Sequence, residues 1–466
     1  MKNIKNNCLK YSLLITIVVF ANVSCERELS EDAILSTYPK TAEVYIDGFS
    51  AGLSYGAFAG SKYTAFNIDT NEKYAGSSSM RIDVPSENDP EGNFAGGVYI
   101  DDIGRNLTDY DALTFWVKGS QAATINEVGF GNDFNENKYN VSLKNVSIDT
   151  NWKKVIIPIP NASKLIQEKG MFWYAEGPEN GLGYTFWMDN VQYEKLGTIT
   201  DGQASILNGN DKVETSFIGV SSTIDGVVAS FNLANGISKT VTISPAYLEF
   251  SSSNTAVASV TNTGVVTTVG TGTATITATF EGQTVDGSLT INSLGTFLSA
   301  PTPTHNPANV ISIFSDAYAN VPVNYYNGYW APWQTSLSDD FSVNGDHILQ
   351  YTIFNFAGIE FSTPTVNASA MTHFHLDAFI PGPIASGRQL RLIVVDFGPD
   401  GTFNGGDDTR HSTTFIAPFL VSQNWISIDI PFLAMPNLLS RSHVAQIILE
   451  GGDGSNIYID NIYFHN

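Results

Sequence analysis

Along most of the chain, hydrophobic and polar residues alternate with a period of two, the spacing that sends successive side chains to opposite faces of a strand. Clear runs in the first part are Ser79–Val84, Ala112–Lys118, Lys153–Ile159 and Tyr184–Tyr193. Later runs are Asn309–Phe314, Gln350–Phe356, Gln389–Val395, Asn424–Ile430, Ala445–Leu449 and Asn456–Phe464. Clusters of Gly, Asn, Asp and Pro separate them, as turns require. The spacing of an amphipathic helix lasts for one turn at most, near Ser163–Lys169. Between the two groups, Phe250–Phe280 alternates small polar with β-branched residues, and Gly264, Gly270 and Gly272 mark its turns. The pattern predicts an all-β protein.

A chain of 466 residues suggests about three domains. The expected division is a leader over 1–25, a tether over 26–40, a first module over 41–197, a middle domain over 198–294, a hinge over 295–302 and a second module over 303–466. Many strands with long polar loops suggest a two-sheet jelly roll for the first module. The second echoes its frame, with an early Asp316, a late Asn424-Trp425 and a closing Tyr458-Ile459-Asp460-Asn461-Ile462. Pro301, Pro303 and Pro307 are expected to stiffen and extend the connection before it.

Charge narrows the partners. With 46 acidic against 23 basic residues the net charge is −23, which repels a phosphate backbone but carries no penalty for a neutral glycan. Excess Asp also supplies the oxygens from which calcium sites are built, although it equally serves solubility. Both cysteines, Cys8 and Cys25, fall in the leader, so the body has no thiol for a disulfide, a metal or a nucleophile. Lys2, Lys5 and Lys10 precede the apolar Tyr11–Ala21, which is too short to span a membrane stably and reads as an export signal ending in Val23-Ser24-Cys25.

Neutral sugars bind largely by laying a C–H face on an aromatic ring while polar side chains satisfy the hydroxyls. In the second module Tyr325, Tyr326, Tyr329, Trp330 and Trp333 place five aromatics in nine positions, interrupted by Asn327-Gly328 and Ala331-Pro332. A core strand would not carry such breaks, so Trp330 or Trp333 is expected on an exposed loop. In the first module the corresponding stretch is Trp173 and Tyr174 beside Glu176, Glu179 and Asn180, expected as one loop that offers rings and acceptors. Trp116, Trp152, Trp187 and Trp425 lie in regular strand patterns, and Trp116 and Trp187 are expected at the core or its edge.

Asp396, Asp400, Asn404, Asp407 and Asp408 with four glycines can either wrap a hard cation or form a hairpin loop held by Asx turns. His373 and His375 share a strand face, and without a third ligand nearby they read as packing or hydrogen-bonding residues. No G-x-S-x-G and no glycosidase carboxylate signature is found, so the chain is expected not to be an enzyme.

Resemblances sharpen these expectations. Ser252, Asn254, Val257, Ala258, Val260, Gly264, Val266, Gly272, Ala274, Ile276, Thr277 and Ala278 fall on the S-x-N-x-x-V-A-x-V, x-G-x-V and G-x-A-x-I-T-A hallmark of the bacterial immunoglobulin-like domain of group 2, which this stretch resembles over about a fifth of the chain. Such domains are mostly spacers. Cys25 after a small residue resembles a lipoprotein signal, with Asn22 where Leu is usual, and Glu26-Arg27-Glu28 behind it resembles the signal that sends Bacteroidota lipoproteins to the cell surface. The resemblance implies lipidation at Cys25 and an outer-membrane, surface-exposed location; ordinary cleavage near Ser24 is the alternative.

Tyr45-Ile46-Asp47-Gly48-Phe49, Leu113-Thr114-Phe115-Trp116-Val117-Lys118 and Phe186-Trp187-Met188-Asp189-Asn190-Val191 resemble, in their order, jelly-roll carbohydrate-binding modules. Residues 303–466 look like a domain appended to laminarinases, in NVISIFSDAYANVPV, ASAMTHFHLDAF, VVDFGPDGTFNGGDDT and YIDNIYF. These resemblances imply a structural calcium at Asp47 with Asp189 and at Asp316 with Asp460. They also imply non-catalytic capture of polysaccharide such as laminarin or mixed-linkage β-glucan, serving a polysaccharide utilisation system with an outer-membrane transporter as partner. A surface adhesin and an unrecognised hydrolase or lyase stay open.

Overall fold

A computed structural model describes residues 37–466 except 201, 235, 329, 331 and 344. Strands and short 3-10 turns account for the regular structure, with no α-helix among the described residues. The protein is all-β. The described chain divides into two compact units, residues 37–136 with 145–197, and residues 137–144 with 198–466.

In the first unit one sheet runs β3 (Phe66–Asp69), β4 (Ser79–Val84), β11 (Tyr184–Glu194), β6 (Ala112–Gly119) and β9 (Lys153–Pro158), with β1 (Glu43–Tyr45) paired to β11. The other runs β8 (Val141–Ile148), β7 (Ala123–Phe130), β10 (Glu168–Glu176), β5 (Ala95–Arg105) and β2 (Leu53–Ala57). Alternation sends Phe115, Phe186 and Met188 inward from the first sheet to meet Tyr99, Phe172 and Tyr174 from the second, all at most 1 % exposed. Ring contacts such as Phe115–Phe172 at 5.7 Å and Tyr174–Phe186 at 6.2 Å join the layers.

The second unit begins with an Ig-like sandwich. Its larger sheet is β13 (Asp211–Ser216), β22 (Ser288–Ser293), β20 (Gly272–Phe280) and β17 (Glu249–Ser252), with β21 (Gln283–Thr284) on β20. A smaller sheet holds β14 (Ser221–Thr223), β19 (Val265–Thr268) and β18 (Ala258–Val260), and a further ladder joins β12 (Gln203–Ser205), β15 (Val228–Asn232) and β16 (Ser238–Ile243).

A second two-layer sandwich follows. One layer is β24 (Leu337–Val343), β25 (Asp346–Thr352), β32 (Ile457–His465), β27 (His373–Phe379) and β30 (Trp425–Pro431), with β23 (Val310–Phe314) on β32. The other is β26 (Phe356–Glu360), β31 (Val444–Glu450), β28 (Gln389–Asp396) and β29 (Thr409–Ile416). The single run expected over Gln350–Phe356 is two strands, one in each layer. The chain breaks at Ile353, whose φ is 49°, and buries Phe354 in the corner. Aromatic and aliphatic residues on both sides of that break hide it from the hydrophobic pattern.

The connection over 295–302, expected as a stiff, extended hinge, is held down. Phe297 is 5 % exposed and lies among Phe217 of the Ig-like sandwich and Phe341, Phe379 and Tyr458 of the second. Its ring sits 4.8 Å from that of Phe217 and 5.6 Å from that of Phe379. Further along, Trp425 Nε1 donates to the Leu298 carbonyl and Asn461 Nδ2 to that of Pro301. Prolines limit the backbone, but a buried ring decides where it goes.

Candidate functional site

In the second sandwich, Leu392, Val394, Ile447 and Leu449 face the core, so Ile393, Val395 and Ile448 face out. Trp330 packs on that outward apolar strip. Its ring lies over Gly358, where a Cβ would stand 2.7 Å from it, and 5.6 Å from the ring of Phe356. Gly358 is therefore needed for the ring to approach the sheet. The loop is fastened by polar contacts: Gln334 Oε1 accepts the Trp330 N–H at 2.9 Å, and Asn355 Nδ2 donates to the Trp333 carbonyl at 2.8 Å. Trp333 itself is 74 % exposed. A held backbone with a bare indole is a ready stacking surface.

Beside Trp330 lies a polar group that no local pattern announces. Tyr325 Oη donates to Glu360 at 2.6 Å, Gln446 Nε2 donates to the same carboxylate at 3.3 Å, and Ser362 Oγ donates to its other oxygen at 2.7 Å. Burial and the Glu360 bond push the Tyr325 hydroxyl up to about 12. Gln446 is 2 % exposed, yet its Oε1 has no partner. Residues from 325, 360 and 446 meet because β26 and β31 are neighbours, a register the sequence does not display. Tyr326 does not join them. It turns inward, donates to the Ile313 carbonyl at 3.1 Å and packs on the core. Tyr329 lies outside the described residues.

The stretch expected as a binding loop in the first module is instead strand β10. Phe172 and Tyr174 are core residues, and Trp173, on the other face, is only 6 % exposed with Phe58 edge-on at 6.2 Å. Glu176 is also internal: it accepts from Tyr184 Oη and from the Asn126 N–H, and burial pushes its carboxyl up to about 7. Asn180 alone of the four is exposed, at φ 53° in the turn that follows. The reading failed because no Gly or Pro interrupts 171–176, so the run stays in the ladder. Trp116 and Trp187, expected at the core or its edge, lie on the outer face and are half-buried; Trp187 Nε1 donates to Asp69 at 3.0 Å.

The carboxylates divide into satisfied and unsatisfied sets. Asp189 spends both oxygens on main-chain N–H groups, of Tyr74 and Ala75 on one and of Asn190 on the other, while Asp47 Oδ1 accepts from Ser77 and Ser78. These oxygens hold the loop in place. Asp396 is likewise consumed by the N–H groups of Gly398 and His443. Within the β28–β29 hairpin Asp400 accepts the Thr402 N–H as an Asx turn does and Asp407 accepts the Asp400 N–H, while Asp408 Oδ1 is buried with no partner. Asp316 and Asp460 also accept one main-chain N–H each, of His347 and Asn461, but lie beside further acids. Asp460 is 4 % exposed, and burial together with the charges of Asp346, Asp377 and Asp316 pushes its carboxyl up to about 7. Asp346 Oδ2 is buried with no partner. Among the described residues no three His, Cys, Asp or Glu side chains are arranged to hold a metal ion.

Histidines beyond the sequence pair also converge. His465 faces His373 across the strand pair with rings parallel at 5.0 Å, His305 stacks on His465 at 3.9 Å, and Asp429 bonds His465 Nε2 at 2.9 Å. The rings stack rather than point at one centre, consistent with packing.

Comparison with known proteins gives these features a class. The carbohydrate binding domain 30 family matches residues 45–195, and the bacterial Ig-like domain (group 2) matches residues 236–291. No curated protein matches the chain. Similar solved structures include a family 11 carbohydrate-binding module from Clostridium thermocellum in complex with a β-1,3-1,4-mixed-linked tetrasaccharide, at 14 % identity over 34 % of this chain and 96 % of that one, TM-score 0.27. A family 30 module of a cellulosomal cellulase of Clostridium thermocellum is 14 % identical over 34 % of this chain and 96 % of that one, TM-score 0.24. A tandem of family 22 modules from Paenibacillus barcinonensis is 10 % identical over 93 % of this chain and 99 % of that one, TM-score 0.23. The chain thus carries a carbohydrate-binding module together with an Ig-like domain of group 2. Polysaccharide binding is the function this composition supports.

Proposed function

We propose that this protein is a non-catalytic surface protein that captures a neutral β-glucan, of laminarin or mixed-linkage type, for degradation and uptake by other proteins. The observation that carries the reading is Trp333, 74 % exposed on a loop whose backbone is fastened by Asn355, next to the half-buried Trp330 and the Tyr325–Glu360–Gln446 group. A glucose ring stacked on Trp333 leaves its hydroxyls to polar side chains at the edge, and the net charge of −23 disfavours polyanionic glycans. The resemblance of residues 303–466 to laminarinase-appended domains supports the linkage. Two binding modules on one chain raise avidity for a repeating polymer, because the second contact is intramolecular.

Two further parts belong to the same proposal. Cys25, outside the described residues, anchors the chain through lipid at the outer membrane, where a glycan transporter is the expected partner. Calcium, where bound, is held by Asp316, Asp346 and Asp460, and supplies charge neutralisation to a buried carboxylate group rather than any chemistry.

Affinity gel electrophoresis in laminarin, mixed-linkage glucan, xylan and alginate tests the reading. Retardation in the first two that is weakened with Trp333→Ala supports it. Free migration in every neutral glycan overturns it and favours the adhesin alternative.

A further inference from the structure

The first unit carries an aromatic surface built on Trp116, which the strand pattern places at the core or its edge. Residues 71–78 do not leave the sheet as a free loop. They fold over the outer face of β11 and β6 and are pinned there by four main-chain N–H groups, those of Tyr74 and Ala75 on Asp189 and those of Ser77 and Ser78 on Asp47. The two Ser77 and Ser78 bonds hold the Asp47 carboxyl below its usual range, so the clasp is closed at neutral pH. Pinning sets Tyr74 flat on Trp116, ring centroids 3.8 Å apart and planes 11° apart, with Trp152 edge-on at 6.1 Å.

Tyr74 nevertheless remains 40 % exposed. One ring face lies on Trp116 and an edge points toward Trp152. The result is a rigid, solvent-facing ring on a sheet face, which is what a pyranose stacks on. Its border is polar but self-neutralised: Lys118 pairs with Glu72 at 2.9 Å. Such a border offers hydrogen bonds without selecting a charged ligand. The other sheet of the same unit makes the contrast, since its Trp173 is closed over.

We propose that Tyr74, backed by Trp116 and flanked by Trp152, is a second glycan-stacking site that takes one pyranose unit of a neutral glycan. The proposal rests on the glycan-capture reading above and adds a site in the other unit. Removing the ring with alanine would uncover Trp116 as a substitute surface, so the informative change is Tyr74→Glu, which keeps the N–H that Asp189 holds and puts a charge where the sugar face would lie.

The full chain carrying Trp333→Ala is titrated with laminarin and mixed-linkage glucan, alone and combined with Tyr74→Glu, Tyr74→Phe or Trp152→Ala. Residual affinity is expected to fall at least fivefold with Tyr74→Glu and to persist with Tyr74→Phe. Hydrogen exchange of residues 71–78 in the unsubstituted protein, with and without laminarihexaose or cellohexaose, gives a second reading that needs no variant, and protection is expected with one of them. If Trp333→Ala already abolishes all binding, or if Tyr74→Glu binds as its parent does and 71–78 gains no protection, the second site is overturned while glycan capture stands. If the unsubstituted protein binds no neutral glycan, both fall.

Discussion

Two aromatic stretches look alike on paper and end in opposite places. Phe172-Trp173-Tyr174 followed by Glu176 runs unbroken along β10, so its rings divide between the core and a covered outer face. Tyr325 to Trp333 contains Asn327-Gly328 and Pro332, cannot continue a ladder, and leaves Trp333 bare. Hydrogen-bonding demand makes the difference. An uninterrupted β-forming run is drawn into a sheet, where both faces can be buried, whereas a run broken by Gly and Pro must form a loop at the surface. Aromatic content alone therefore says little about binding; the residues between the rings say more.

The sharpest way to break this comparison is Trp173→Ala. A side chain 6 % exposed should cost about 3–5 kcal/mol of first-unit stability when removed, seen as a lowered urea midpoint. A stability unchanged within error would mean that the strand face is an open platform after all.

Phe297→Ala applies the same logic to the second unit. Removing a ring 5 % exposed among five other aromatics should cost about 3 kcal/mol and let the Ig-like and second sandwiches unfold separately in calorimetry. One cooperative transition at the original midpoint would show that the connection is a spacer.

Acidity separates the regions further. Glu168 and Glu176 on β10 are both pushed up to about 7, chiefly by burial. A carboxyl whose folded pKa is raised keeps its proton in the native state while the unfolded chain loses it. Stability is therefore highest near and below the unfolded value, falls as pH rises toward 7, and the loss is complete above it. The first unit should lose on the order of 2 kcal/mol per group between pH 5 and pH 8, measured by denaturation at each pH. Asp460, also at about 7, gives the second unit the same sign. A midpoint that rises over that interval would contradict both.

Smaller effects concern the exposed side. Trp333→Ala should weaken glucan binding about tenfold, or about 1.4 kcal/mol, and leave the melting temperature unchanged, because a ring 74 % exposed contributes little packing. A large fall in stability would move Trp333 into the structural class. Smallest is calcium: its addition after EDTA treatment should raise the second unit's melting temperature by a few degrees at pH 8, and Asp460→Asn should remove that response. No shift at pH 8 would rule out the Asp316–Asp346–Asp460 site.

Sequence by itself determined the all-β class, most strands, the group 2 Ig-like stretch and an exposed ring at Trp330 or Trp333, because alternation and Gly or Pro breaks act locally on the backbone. Only the tertiary structure decided which side chains meet. Tyr325 finds Glu360 and Gln446, His305 finds His465, Tyr74 lies on Trp116, and Phe297 is drawn into a core, each through strand register or loop docking between distant segments. Those contacts depend on which strands become neighbours. Neighbours are chosen by the burial of whole faces, a sum over the chain that no single stretch contains.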